Sequence, residues 1–231
     1  MVKDNTLKYS KIGYILAVAI AVMVYLFPSY VSRGMAEEID RAPYILIDLW
    51  RNRLYLMEGD QIVKQYPVAP GSPSTPSPVG QWKIITKSKN WGSGFGTRWL
   101  GLNVPWGTYG IHGTNKPWLI GHHVSHGCIR MRNSDVEELY TLVRHGTKVI
   151  IEGPIVGFSW NEYKTLVKGD RGSLVMLIQN RLRAAGYYKG GCHGVFDGYT
   201  EIALKSYQKN HQLQVTGQVG YRDYISLGLL E

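Results

Sequence analysis

The hydrophobic pattern changes character along the chain. Tyr44 to Leu49, YILIDL, is a short apolar run rich in β-branched residues. RNRLYLMEGDQIVKQYPVA follows and places two extended stretches on either side of Glu58-Gly59-Asp60, a turn signal, so a strand and then a hairpin are predicted. A Pro/Ser-rich loop, APGSPSTPSPVG, leads into a further strand over Gln81–Thr86. Helical periodicity is absent from about residue 44 to residue 133. The first helix is predicted over Asn133–Val143, capped by Asn133 or Ser134 with Glu137 in its first turn, and TKVIIEG closes this part as a strand. Residues 42–153 thus read as one mostly-β domain with one short helix near its end.

After a linker over residues 154–168, the period becomes helical. SLVMLIQNRLRAAGYY has apolar residues at Leu174, Leu177, Ile178, Leu182 and Ala185, with Gly186 as a stop. TEIALKSYQKNHQL repeats the pattern, with Thr200 as a cap and Ile202, Ala203, Leu204 and Tyr207 as apolar positions, and YRDYISLGLL fits a third short helix. Residues 169–231 are expected to form a small all-α three-helix bundle.

One segment fits neither domain. Ile12 to Phe27 is sixteen residues without a charge, preceded by Lys3, Lys8 and Lys11. Residues 1–36 are expected to be a cytoplasmic tail with a membrane helix, or a removed signal; a buried soluble helix is the third alternative. The first two put everything after residue 36 outside the cytoplasm, because the positive flank stays inside. The expected location is the cell envelope, anchored by the N-terminal helix, or secretion if that segment is cleaved.

Composition narrows the function. Apolar residues make up 44% and charged residues 19%, which suits a folded core and excludes a disordered chain or coiled coil. The net charge of +9 favours an anionic partner: nucleic acid, anionic lipid or an anionic cell wall. No basic run exceeds two residues and no zinc-finger spacing occurs, so no nucleic-acid partner is expected. Nothing in the sequence sets an oligomeric state. Two cysteines, Cys128 and Cys192, would permit one disulfide outside the cytoplasm, but they fall in segments assigned to different domains.

Candidate chemistry concentrates between Tyr109 and Asn133, YGIHGTNKPWLIGHHVSHGCIRMRN, which holds four of the seven histidines and Cys128. A polar loop without a role is one reading. A metal site using His112, His122, His123, His126 and Cys128 is another, although paired Cys-x-x-Cys or His-Glu-x-x-His spacing is lacking. The third is a thiol nucleophile. A free thiol is mostly protonated at neutral pH and needs a neighbouring base. A histidine on an adjacent strand supplies one, Gly127 permits a sharp turn, and the Gly127 and Cys128 N–H groups could face a developing oxyanion.

IHGT…SHGCIRMRN resembles the signature of the YkuD-type L,D-transpeptidases: a His, an interval, then Ser/Thr-His-Gly-Cys with an Arg and an Asn. His112, Ser125, His126, Gly127, Cys128, Arg130 and Asn133 occupy matching positions, and the resemblance covers roughly Ala42 to Gly153. Arg132 departs from the His common in relatives, and His122-His123 is an extra pair. The region from Gly169 to Gly220 resembles a three-helix peptidoglycan-binding domain through its Gly-x-x-Gly opening, Gln179 with Leu182, Gly186-Tyr187-Tyr188, Gly194-x-Phe196, Thr200 and Tyr207-Gln208. Cys192 falls in a loop there and is expected to be an incidental free thiol.

The resemblance implies that Cys128 attacks the third-residue carbonyl of a peptidoglycan stem tetrapeptide and expels the terminal D-Ala. It makes His112 the base and then the acid, with His126 in a lesser catalytic role. Ser125 and Gly127 would form the turn and oxyanion site, and Arg130, Asn133 and Tyr109 would contact substrate; Trp99 and Trp118 are groove or core. No metal and no cofactor is implied. An amine of a second stem would resolve the thioester as a cross-link, whereas water would make the enzyme a carboxypeptidase. A non-catalytic wall-binding protein and a thiol hydrolase of another peptide remain as rivals.

Overall fold

A computed structural model describes residues 42–90, 92, 94–155 and 163–230. The membrane helix expected within residues 1–36 lies outside the described residues. Among the described residues, no helix is long and apolar enough to cross a membrane.

Eight strands form the first domain: β1 (Tyr44–Asp48), β2 (Arg53–Glu58), β3 (Gln61–Pro67), β4 (Gly80–Lys89), β5 (Arg98–Leu102), β6 (Tyr109–His112), β7 (Ile129–Arg130) and β8 (Lys148–Glu152). They run in the order β3-β2-β1-β8-β4-β5-β6-β7. The hairpin forms where the turn signal placed it, with Glu58 opposite Gln61. Gly59 takes φ +56°, a conformation that glycine adopts without steric cost. The closing strand β8 inserts beside β1 in parallel and beside β4 antiparallel, so both its edges are paired.

β4 extends well beyond the predicted Gln81–Thr86. Its first half pairs with β8 and its second half with β5, with an irregularity between Ile84 and Thr86. Such an offset bends a strand, and here it allows one strand to serve two sheets. Alternate residues fill the core between them: Ile45, Ile47, Leu54, Ile84, Leu100, Ile111 and Ile151 are all 1% exposed or less.

Helix α1 (Asn133–Leu142) closes this core with Val136 and Leu139. Arg132 is its N-cap residue and makes no side-chain cap bond, so neither Asn133 nor Ser134 caps it; both lie inside the first turn, which carries Asp135 as its acidic residue.

The C-terminal helices are α2 (Ser173–Ala184), α3 (Gly198–Asn210) and α4 (Tyr221–Ser226). α2 buries Val175, Ile178, Gln179 and Leu182, while Ala185 is exposed. The buried stripe includes a glutamine, which apolar periodicity passes over. Gln179 Nε2 donates to Val195 O and Thr200 Oγ1, and its Oε1 accepts from Gly194 N. Thr200 is not the cap of α3. Asp197 caps it, accepting from the Thr200 N–H at 2.8 Å, because the chain is still extended at Asp197. Gln208 repeats the device, joining Thr216, Gly217 and Gln218 to Asp223.

Residues 43–231 make one compact unit. Met176 of α2 packs against the β-domain core, and the Trp106 ring lies where a side chain on Gly194 would have to be, 2.4 Å from its ideal Cβ position. Trp106 in turn meets Trp82 edge-on, with ring centroids 5.3 Å apart.

Candidate active site

The site stands at the β7 end of the sheet. β6 and β7 run parallel, with Ile111 opposite Ile129 and His112 opposite Arg130. Side chains alternate faces along a strand. Ile111 and Ile129 therefore go to the core together, where both are almost fully buried, and His112 and Arg130 share the other face. Cys128 immediately precedes β7, two residues before Arg130. The three are electrostatically linked: the Arg130 charge acts on both His112 and Cys128.

His112 is 3% exposed. Its Nδ1 lies 2.5 Å from the Gly113 carbonyl. A carbonyl only accepts, so Nδ1 carries the proton and Nε2 is left with a lone pair. The ring is held on two sides. Trp99, its antiparallel partner on β5, stacks on it at 5.7 Å, and Phe95 meets it edge-on at 4.9 Å. Burial brings His112 down to about 4; hydrogen bonds to the Gly113 and Phe95 backbones oppose that shift and Arg130 adds to it. Burial also holds the Cys128 thiol above its ordinary value, opposed by the Gly110 backbone and by Arg130. The resting pair at neutral pH is accordingly a neutral imidazole and a protonated thiol.

The turn that presents Cys128 is fixed from both sides. Ser125 Oγ donates to Cys128 O at 2.5 Å and accepts from Gly127 N at 3.0 Å. Ser125 O accepts from Ser72 N and from Thr75 Oγ1, so the Pro/Ser loop is sewn to the thiol turn. Gly127 has φ +104°, and an added Cβ would fall 2.6 Å from Tyr109 Cε1 and 3.2 Å from Pro76 O. Both the conformation and the space require glycine here.

Two of the expected site residues have partners within the fold. The Gly127 N–H is engaged by Ser125, so it does not face an oxyanion; the sequence showed the turn but not where its donor goes. Asn133 is engaged through one atom of its side-chain amide. Its Oδ1 accepts from Thr97 N and lies against the backbone of Gly96 and Gly113, tying α1 to the β4–β5 loop that carries Phe95.

The remaining candidates separate. Tyr109 is half-buried beside Gly127, is raised by burial, and shares a hydrogen bond with Trp106. His126 is exposed at the edge of the same turn. Arg130 forms no ion pair among the described residues. Trp99 is the wall of the imidazole rather than of a groove, and Trp118 is 69% exposed on a 3-10 turn. His122 and His123 are exposed, and no group of three or more His, Cys, Asp or Glu among the described residues could hold a metal. Cys128 and Cys192 are free thiols. Phe95 and Gly110 carried no sequence signal of their own, because each acts through tertiary contact.

A half-buried thiol on a glycine turn, just before the strand paired with that of a buried histidine, is an arrangement suited to acyl transfer through a thiol nucleophile. Comparison with known proteins makes the class specific. Residues 42–151 match the family model of the YkuD L,D-transpeptidase catalytic domain, and residues 171–222 match a model described as "Putative peptidoglycan binding domain". A Bacillus licheniformis protein described as "Putative L,D-transpeptidase YkuD" is 47% identical over 113 residues, spanning 48% of this chain and 67% of the relative. A Bacillus subtilis protein of the same description is 41% identical over 123 residues, spanning 53% and 74%. The NMR structure of the catalytic domain of an E. faecium L,D-transpeptidase aligns at 23% identity over 48% of this chain and 98% of its own, with a TM-score of 0.43. The chain belongs to the YkuD family of L,D-transpeptidases, and a peptidoglycan-binding domain follows its catalytic domain.

Proposed function

We propose that the enzyme cross-links peptidoglycan stem peptides through a thioester on Cys128. The Cys128 sulfur attacks the third-residue carbonyl of a donor tetrapeptide while His112 Nε2 takes the thiol proton. The C–N bond to the terminal D-Ala then breaks, and His112 returns the proton to the leaving amine. An amine of a second stem attacks the thioester, its surplus proton passes to His112, and the thiol is regenerated. The observation that carries this proposal is the His112 Nδ1–H held by the Gly113 carbonyl, which leaves Nε2 as the basic nitrogen, with the Arg130 charge acting on His112 and Cys128 alike.

With the Gly127 N–H engaged, the oxyanion donor is assigned to the backbone N–H of Cys128 itself. Arg130 is assigned to a stem carboxylate, for which a guanidinium is suited. His126 borders the site without a hydrogen bond that would make it a base, and its part is to shape the approach. If water replaces the acceptor amine, the same intermediate gives a shortened stem, and product analysis distinguishes the two outcomes.

Intact mass after incubation with a carbapenem tests the nucleophile. A gain of one drug mass, lost in Cys128→Ala, is expected; no adduct on a folded protein with a titratable thiol would remove the thioester mechanism. We further propose that residues 1–36 anchor the chain with the catalytic part outside the cytoplasm, on the strength of the apolar run Ile12–Phe27 and its lysine flank. Full-length protein should then stay in alkali-washed membranes and a chain lacking residues 1–36 should not; equal recovery in the soluble fraction would refute the anchor.

A further inference from the structure

A cleft of about 550 Å³ lies where α2 and the segment before it face the Pro/Ser loop of the β-domain. One wall holds Trp106, Tyr109 and His126; the opposite wall holds Lys164, Arg171 and Ser173. His126 is two residues from Cys128, so the cleft opens onto the thiol turn. The charged groups along it are Lys164 and Arg171, with His126 as a third titratable nitrogen, and no carboxylate lines it. Neither cation takes part in an ion pair among the described residues.

The far wall is built rather than loosely apposed. The Arg171 backbone is bridged to Val195, and Gly172 N donates to Gly194 O. Ser173 Oγ donates to Val79 O across the junction at 3.4 Å, and Trp106 fills the space over Gly194. A cleft of this size is within the range that holds small ligands, and two unpaired cations on a fixed wall select an anion.

We propose that this cleft binds a carboxylate-bearing peptidoglycan stem peptide, with Arg171 and Lys164 of the helical domain as its cationic wall. The helical domain thereby becomes part of the transpeptidase's own substrate site instead of acting only as a wall tether. The assignment rests on the transpeptidase function proposed above for its choice of ligand. The Arg130 charge acts on Cys128 and the cleft reaches His126, so both domains bring cations to the surroundings of the thiol turn.

The test uses the full chain carrying Cys128→Ala, which cannot turn the peptide over, and follows tetrapeptide binding by titration calorimetry. Adding Lys164→Ala and Arg171→Ala together should weaken binding at least about tenfold, with the parent's affinity falling as salt rises. Both side chains are exposed, so the variant should keep the parent's thermal midpoint, and Arg171→Lys should recover most of the affinity. In the Cys128 background, slower acylation would identify the bound stem as the donor. Unchanged acylation with more hydrolysed tripeptide and less cross-linked dimer would identify it as the acceptor. Binding that is unaltered in the double variant at low salt overturns the proposal. Failure of the transpeptidase assignment has a different signature: the wild-type chain with Cys128 intact forms neither thioester nor product, whatever the titration shows.

Discussion

His112 is where composition becomes chemistry. An imidazole wedged between Trp99 and Phe95 and tied to the Gly113 carbonyl stays neutral at neutral pH, because charging it would require solvation that the site denies. Its fall from 6.5 to about 4 fixes the sign of two pH effects. Between these values the unfolded chain binds a proton that the folded chain does not. Stability therefore rises with pH across that window, and about 3 kcal/mol is lost on going from pH 6.5 down to 4. His112→Gln should flatten the slope in chemical denaturation over that window; an unchanged slope would assign it to other groups. The acid limb of kcat/KM should likewise fall near pH 4, and a limb at 6 to 7 would mean that His112 is not the base.

At the level of elements, the site depends on a loop and a helix start that make no contact with the thiol. α1 begins at Asn133, whose side chain accepts from Thr97 N and fills the space left by Gly96 and Gly113. The loop that carries Phe95 to His112 is thereby pinned to the helix. Asn133→Ala should cost about 1–2 kcal/mol in urea denaturation, from a lost hydrogen bond and an emptied contact, and should slow carbapenem acylation. Asn133→Asp keeps the acceptor and should recover part of both. Equal acylation by Asn133→Ala would show that the loop holds Phe95 without this tie. The sequence led to a substrate contact for Asn133, and the structure adds a tie within the fold. An Asn beside a nucleophile motif looks the same in sequence whether its amide faces a ligand or a backbone N–H.

Over the whole molecule, two domains with separate cores share a junction. Ile12–Phe27 aside, the sequence divides cleanly into a period-2 part and a helical part, and nothing in it indicates that Met176 and Trp106 join them. Trp106 lies between Trp82 and Gly194, so it belongs to both sides of the junction. Trp106→Ala should remove about 2 kcal/mol and split a single calorimetric transition into two, one for each domain. A single transition at a uniformly lower temperature would mean that the remaining contacts, Met176 among them, suffice to couple the domains.

Local sequence determined the elements whose signals are local. The hairpin at Glu58-Gly59-Asp60, the first helix near Asn133 and the glycine stop at Gly186 each depend on a few neighbouring residues, and each formed within a few residues of its predicted position. The spacing of His112 and Ser125-His126-Gly127-Cys128 likewise fixed which residues could meet, because a β-strand pair needs only the right number of residues between its members. Pairing at a distance was decided by the tertiary structure. β7 is two residues long and has no period to detect, β8 reaches its place beside β1 only because the whole core closes over it, and β4 changes partners at an irregularity that propensity does not encode. The same holds for the site. Which N–H the serine captures, which aromatic rings wall the imidazole and which cations face the thiol turn all depend on what the folded chain brings together from residues far apart in sequence.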